Sequence, residues 1–203
     1  LRQYPHELSG GMRQRVMIAI ALAGEPELLI ADEPTTALDV TVQKYILDLL
    51  KDLQTEIGMS VILITHDLGV ARGRTDEIMV MYGGRMMELA PSEELFSDMS
   101  HPYTEALFSA IPRVDQPKHT RLTPIAGAPP DPVDPPSGCR FSPRCVYAQQ
   151  DCTVNLPQAD GLGDHKFACF YPVNTDDGRS ARAANIENGQ TATGLKIQTA
   201  GVS

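Results

Sequence analysis

No stretch of this 203-residue sequence stays apolar for long enough to cross a bilayer. The longest run, Val16 to Ala23, falls far short of the about 20 residues that a spanning helix needs, so any membrane role must come through partners. Basic charge is also scarce: 17 Lys and Arg stand against 26 Asp and Glu, a formal net charge of -9. That balance excludes a nucleic-acid binder working through bulk charge. No secretory signal opens the chain, and it does not begin with Met, so Leu1 reads as the middle of something longer. There is no Gly-Lys dipeptide, hence no G-x-x-x-x-G-K-[ST] phosphate loop. Cysteine is limited to four residues, all in the C-terminal third, which without a secretory signal points to a metal site before disulfides. No internal repeat is visible. The length suits one good core, or one core plus a small appendage.

What is present centres on Leu28-Leu29-Ile30-Ala31-Asp32-Glu33-Pro34. Four apolar residues in a row suit a strand buried on both faces of a parallel sheet. Acids at the carboxyl end of such a strand sit where open α/β sheets place ligands. Strand neighbours point to opposite faces, so Asp32 and Glu33 need different jobs. A Mg²⁺-nucleotide site supplies two, a carboxylate for the metal's shell and one for the attacking water; a solvated turn after a buried strand is the plain alternative. Upstream, Leu8-Ser9-Gly10-Gly11-Met12 runs into the apolar stretch from Val16. Ser9 suits an N-cap, and open N–H groups at a helix start make an anion seat, or simply a cap and turn. Gly24 and Pro26 end that helix.

Asp39 is the candidate N-cap of an amphipathic helix with Val42, Ile46, Leu49, Leu50, Leu53 and Ile57 on one face, stopped by Gly58. A β-branched strand, Ser60 to Thr65, ends at His66-Asp67. His66 suits either a structural hydrogen bond or a donor to a terminal phosphate. A short helix is expected from about Asp67 to Arg74, then a hairpin of Glu77–Tyr82 and Arg85–Leu89 about Gly83-Gly84, with its methionines as core filler. Ser92 is expected to cap a helix through Met99, and Pro102 to begin another toward Ile111. The sequence divides into an α/β part over 1–111, a Pro-rich connector over 112–138 that includes Pro117, a cysteine segment over 139–173 and a polar, disordered tail over 174–203.

Taken in order, Leu8 to Met12, Leu28 to Glu33, Ala37-Leu38-Asp39 and His66 resemble the signature loop, Walker B strand, D-loop and switch histidine of ABC transporter ATP-binding subunits. Met12 stands where Gln is commoner, with Gln14 nearby. The fold implied is α/β: the C-terminal part of a P-loop NTPase ABC nucleotide-binding domain, a parallel sheet with helices, plus a small cysteine-rich extension. The resemblance implies ATP and Mg²⁺ as cofactors. Asp32 would orient Mg²⁺ through water, Glu33 would act as general base or position the water, and His66 would hold the γ-phosphate. Ser9, Gly10 and Gly11 would cap ATP bound by a second ABC ATPase subunit, and Asp39 would couple the two sites. Without a phosphate loop, the chain reads as the C-terminal portion of a longer subunit, with a sheet edge left uncovered, and neither tight ATP binding nor hydrolysis is expected of it alone.

Cys139, Cys145, Cys152 and Cys169 follow C-x5-C-x6-C-x16-C. The four thiols suit a cubane cluster or tetrahedral Zn²⁺, with free buried cysteines as the plain alternative; His165 near Cys169 suits a surface role better than ligation. His101 to Leu107, the connector and Gly138 to Cys145 are similar to the C-terminal extension of oligopeptide/dipeptide importer ATPases, some of which carry a [4Fe-4S] cluster. That resemblance implies peptide import powered by ATP hydrolysis. Its partners would be two transmembrane permease subunits and an extracytoplasmic peptide-binding protein, with no nucleic acid, at the cytoplasmic face of the membrane. Import of nickel or another small solute, a soluble ABC ATPase acting on DNA or translation, and a non-enzymatic metal-binding module are the alternatives.

Overall fold

The structure, a computed structural model, describes residues 3–111 and 124–197. Residues 112–123, which hold Pro117 and the start of the expected connector, and the last six residues lie outside the described residues. The chain forms two compact units, 1–74 and 75–203.

In the first unit α1 (Gly10–Leu22) starts at Ser9, whose side chain accepts the Met12 N–H at 3.3 Å. β1 (Leu28–Asp32) follows, then α2 (Val40–Ile57), capped by Asp39, whose carboxylate accepts from Thr41 N at 3.1 Å and Val42 N at 3.0 Å. Gly58, at φ 74°, ends α2 in the left-handed conformation that a residue without Cβ adopts freely. β2 (Ser60–Ile64) runs parallel to β1, from Leu28 opposite Ser60 to Asp32 opposite Ile64. Asp67 then caps the short α3 (Leu68–Ala71). The core joins Ile18 of α1, Leu29 and Ala31 of β1, Ile46 and Leu50 of α2, and Met59. Burying each such leucine or isoleucine contributes about 1.5–3 kcal/mol. β1 is not buried on both faces: Leu29 and Ala31 turn inward, whereas Leu28 and Ile30 are exposed, as are Ile62 and Ile64 of β2. A four-residue apolar run does not distinguish one covered face from two, and among the described residues of this unit the helices pack on one face.

The second unit is built on β3 (Glu77–Tyr82) and β4 (Arg85–Pro91). Gly83 and Gly84, at φ 55° and 76°, make the two-residue connection that matches strand twist. Its helices are α4 (Ser92–Ser97), α5 (Pro102–Ser109), α6 (Asp151–Val154) and α7 (Asp176–Glu187). Two short strands, β5 (Asp160–Leu162) and β6 (His165–Phe167), extend the hairpin into one sheet ordered β3-β4-β6-β5. Strand β6 of the cysteine segment thus pairs with β4. Residues 124–138 hold neither helix nor strand. Among the described residues no helix is long and apolar enough to cross a membrane.

Four local expectations change here. Ser92 is the first residue of α4 rather than its cap, and among the described residues its buried hydroxyl has no hydrogen-bond partner. Met87 fills the core, but Met79 and Met81 are exposed on the outer face of β3. The polar tail is not wholly disordered, because Thr175 caps α7 and Asn185 donates to the Val146 and Ala148 carbonyls. His165 is no surface residue: it is buried, with Nε2 2.8 Å from Glu88 and Nδ1 3.0 Å from Glu94.

Burial disfavours the charged form of His165, but the hydrogen bonds to Glu88 and Glu94 outweigh it and hold the ring's pKa above its ordinary value. Stability from this pairing is therefore fully present below about pH 6.5 and is lost as pH rises through the raised folded value. The melting temperature of the second unit should fall between pH 6 and 9, and His165→Gln should flatten that slope. A wild-type melting temperature unchanged across the range would contradict the pairing.

Candidate functional site

The carboxyl ends of β1 and β2 open onto a cleft of about 250 Å³ bordered by Glu33, Thr36, Leu38, Gln43, Thr65 and His66. The parallel pairing continues one step past β1, where Glu33 N–H donates to the Ile64 carbonyl at 2.9 Å. Glu33 then turns sharply, at φ 44°, and Ala37 has φ 63°. Side chains with a Cβ rarely hold such angles, and they persist where surrounding structure imposes them, commonly beside functional sites. The turn is closed by Thr36 N–H to the Glu33 carbonyl at 3.1 Å and Leu38 N–H to the Thr35 carbonyl at 3.2 Å.

This turn aims the Glu33 carboxylate at His66. Nδ1 of His66 lies 3.0 Å from Glu33 Oε1, while the Thr36 hydroxyl donates to Oε2 at 2.7 Å. Both oxygens are thereby fixed, and the carboxylate pKa is lowered, first by the Thr36 hydrogen bond and then by that of His66. At neutral pH the group is ionised and able to accept a proton from, or orient, a water molecule. His66 is three-quarters exposed, so it faces whatever occupies the cleft. Thr36 was not singled out from sequence. A hydroxyl three residues after an acid, inside a turn, was the available signal.

The other predicted residues lie around this pair. Asp32 is exposed at the end of β1 and does not border the cleft. A single carboxylate suits a Mg²⁺ ion that keeps most of its waters and takes its remaining ligands from phosphates. Ser9, Gly10 and Gly11 form the start of α1, where Ser9 is occupied in capping. Asp39 caps α2 and likewise lies outside the cleft lining.

In the second unit Cys139, Cys145, Cys152 and Cys169 all border one cavity of about 10 Å³, beside His101, Phe141 and Tyr147. The expected iron-sulfur or zinc ligand set is not formed. Among the described residues no three His, Cys, Asp or Glu side chains are grouped closely enough to hold a metal ion, and all four cysteines are free. Burial pushes the thiols up, Cys152 to about 11 and Cys145 well above its ordinary range, with neighbouring cysteines adding to the rise. Without a metal, a buried thiol of this kind stays protonated. Loose C-x5-C-x6-C spacing brings the four to one place without making them a ligand group.

Two family models match the sequence: residues 1–36 match the ABC transporter family, and residues 87–152 match the oligopeptide/dipeptide transporter C-terminal region. The oligopeptide transport ATP-binding protein OppD of Salmonella typhimurium is 50% identical over 174 residues, covering 85% of this chain and 51% of OppD. The chain belongs to the oligopeptide/dipeptide branch of ABC transporter ATP-binding subunits. The oligopeptide transport ATP-binding protein AppD of Bacillus subtilis is 53% identical over 157 residues, covering 77% of this chain and 48% of AppD. This ABC family chain thus spans about half the length of the curated relatives it matches. Among solved structures, cbiO1 from Clostridium perfringens, part of an ABC transporter complex, is 38% identical with a TM-score of 0.44, covering 46% of this chain and 38% of cbiO1.

Proposed function

We propose that the chain is part of an ATP-binding and hydrolysing subunit that powers the import of dipeptides or oligopeptides. The observation that carries this reading is the Glu33–His66 pair, held 3.0 Å apart at the carboxyl ends of two adjacent parallel strands. Half-identity to proteins named for oligopeptide transport supports peptide as the cargo. Glu33 takes a proton from, or orients, the water that attacks the γ-phosphate, and His66 donates to that phosphate. Asp32 would hold a Mg²⁺ ion, which would supply charge neutralisation on the phosphates. Ser9, Gly10 and Gly11 cap the nucleotide of a second ATPase subunit, and Asp39 links the paired sites.

The subunit works at the cytoplasmic face of the membrane, docked on two permeases and supplied by an extracytoplasmic peptide-binding protein. This sequence supplies no phosphate loop, so residues 1–203 alone should show no ATP turnover. In an assembly that supplies the loop, the permeases and the binding protein, peptide should stimulate hydrolysis and uptake. Stimulation by nickel in place of peptide would overturn the cargo, and an absence of any hydrolysis would overturn the ATPase reading.

A further inference from the structure

Gly10 and Gly11 open α1, and neither has the positive φ that would demand glycine. Glycine is a poor helix former, so alanine would be favoured at both positions if nothing else intervened. What intervenes is the segment that leaves the Glu33 turn. A Cβ on Gly11 would stand 2.9 Å from Val42 Cγ1, and one on Gly10 would stand 3.2 Å from Leu38 Cδ2. Leu38 borders the cleft beside Glu33 and His66. Val42 is the residue whose N–H Asp39 caps at 3.0 Å. Both pack against the core that contains Ile18 of α1.

We propose that Gly11 is a positioning residue: its bare backbone seats Val42, as that of Gly10 seats Leu38, against the start of α1, so that the Ser9–Gly11 loop and the Thr35–Asp39 turn move as one body. The functional half of this rests on the reading of the chain as part of an ATP-hydrolysing subunit, whereas the packing half does not. Within one chain, residues that serve one nucleotide are joined to residues that serve the other. Any displacement of the turn that carries Glu33 passes directly to the helix terminus. The two glycines differ in how they can yield. Leu38 Cδ2 ends a flexible side chain, but Val42 is β-branched on a helix and has one favoured rotamer.

The test is a double-mutant cycle between Gly11→Ala and Val42→Ala, with Gly10→Ala as the milder comparison. In thermal melts of residues 1–203, Gly11→Ala should lower the melting temperature of the first unit by about 4–8 °C. Val42→Ala in that background should restore most of the loss. Additive effects would overturn the proposal, as would a Gly11→Ala chain that melts higher than wild type. In the assembled subunit, Gly11→Ala should reduce hydrolysis about tenfold or more, and Val42→Ala should recover it. Coupled melts without recovered hydrolysis would overturn the functional half and leave Gly11 needed for its open amide alone. If the unsubstituted assembly hydrolyses no ATP, the proposed ATPase function fails, and the melts still decide the packing.

Discussion

Glu33→Gln is expected to cut ATP hydrolysis by the assembled subunit about 10²–10⁴-fold, the usual contribution of a positioned acid–base group, while nucleotide binding persists. The substitution keeps the size and shape of the side chain. Its carbonyl oxygen can still accept from Thr36 and its amide can still reach His66, which now lie 2.7 Å and 3.0 Å from the carboxylate. What it loses is the negative charge that takes up a proton, so the loss falls on the chemical step. Single-turnover hydrolysis beside equilibrium nucleotide binding separates the two. A rate within a few-fold of wild type would remove Glu33 from the reaction.

Glu88→Ala should destabilise the second unit by about 3–5 kcal/mol, the cost of breaking a buried pair by removing one partner. The Glu88 carboxylate is fully buried. It accepts from Ser100 N at 2.5 Å and His101 N at 3.1 Å, and pairs with His165 Nε2. Removing it strands two backbone donors and a buried imidazole at once. Glu94, which holds the other ring nitrogen, is half-exposed, so Glu94→Ala should cost about 1 kcal/mol or less. Urea unfolding of the two variants gives the comparison, and equal midpoints for them would refute the central place given to Glu88.

The first unit was largely legible in the sequence because its cues are local. Ser9 and Asp39 cap their helices, Gly58 ends one, and the apolar run to Asp32 forms a strand, each through contacts a few residues apart. That Glu33 and His66 share one crevice was legible too, since open α/β sheets place ligands at the carboxyl ends of their strands; their direct hydrogen bond was not. What failed depends on distant partners. His165 looks like a surface residue until β6 lies beside β4 and brings it to Glu88. The burial of one β1 face rather than two depends on what packs there, and the run itself is the same in either case. Thr175 and Asn185 order the polar tail, which composition alone assigns to disorder. The four cysteines border one cavity, but the ligand set expected from their spacing is not formed among the described residues.

The pairing of Glu88 with His165 spans 77 residues, and that separation has a consequence in time. At about 5–20 residues per second of synthesis, Glu88 leaves the ribosome about 4–15 s before its imidazole exists. The hairpin of β3 and β4 can close locally within microseconds, yet β4 then carries a carboxyl side chain whose imidazole partner has not been made. Collapse over Glu88 before β6 is made would therefore bury a polar side chain without its imidazole partner, at the cost of an unsatisfied buried group.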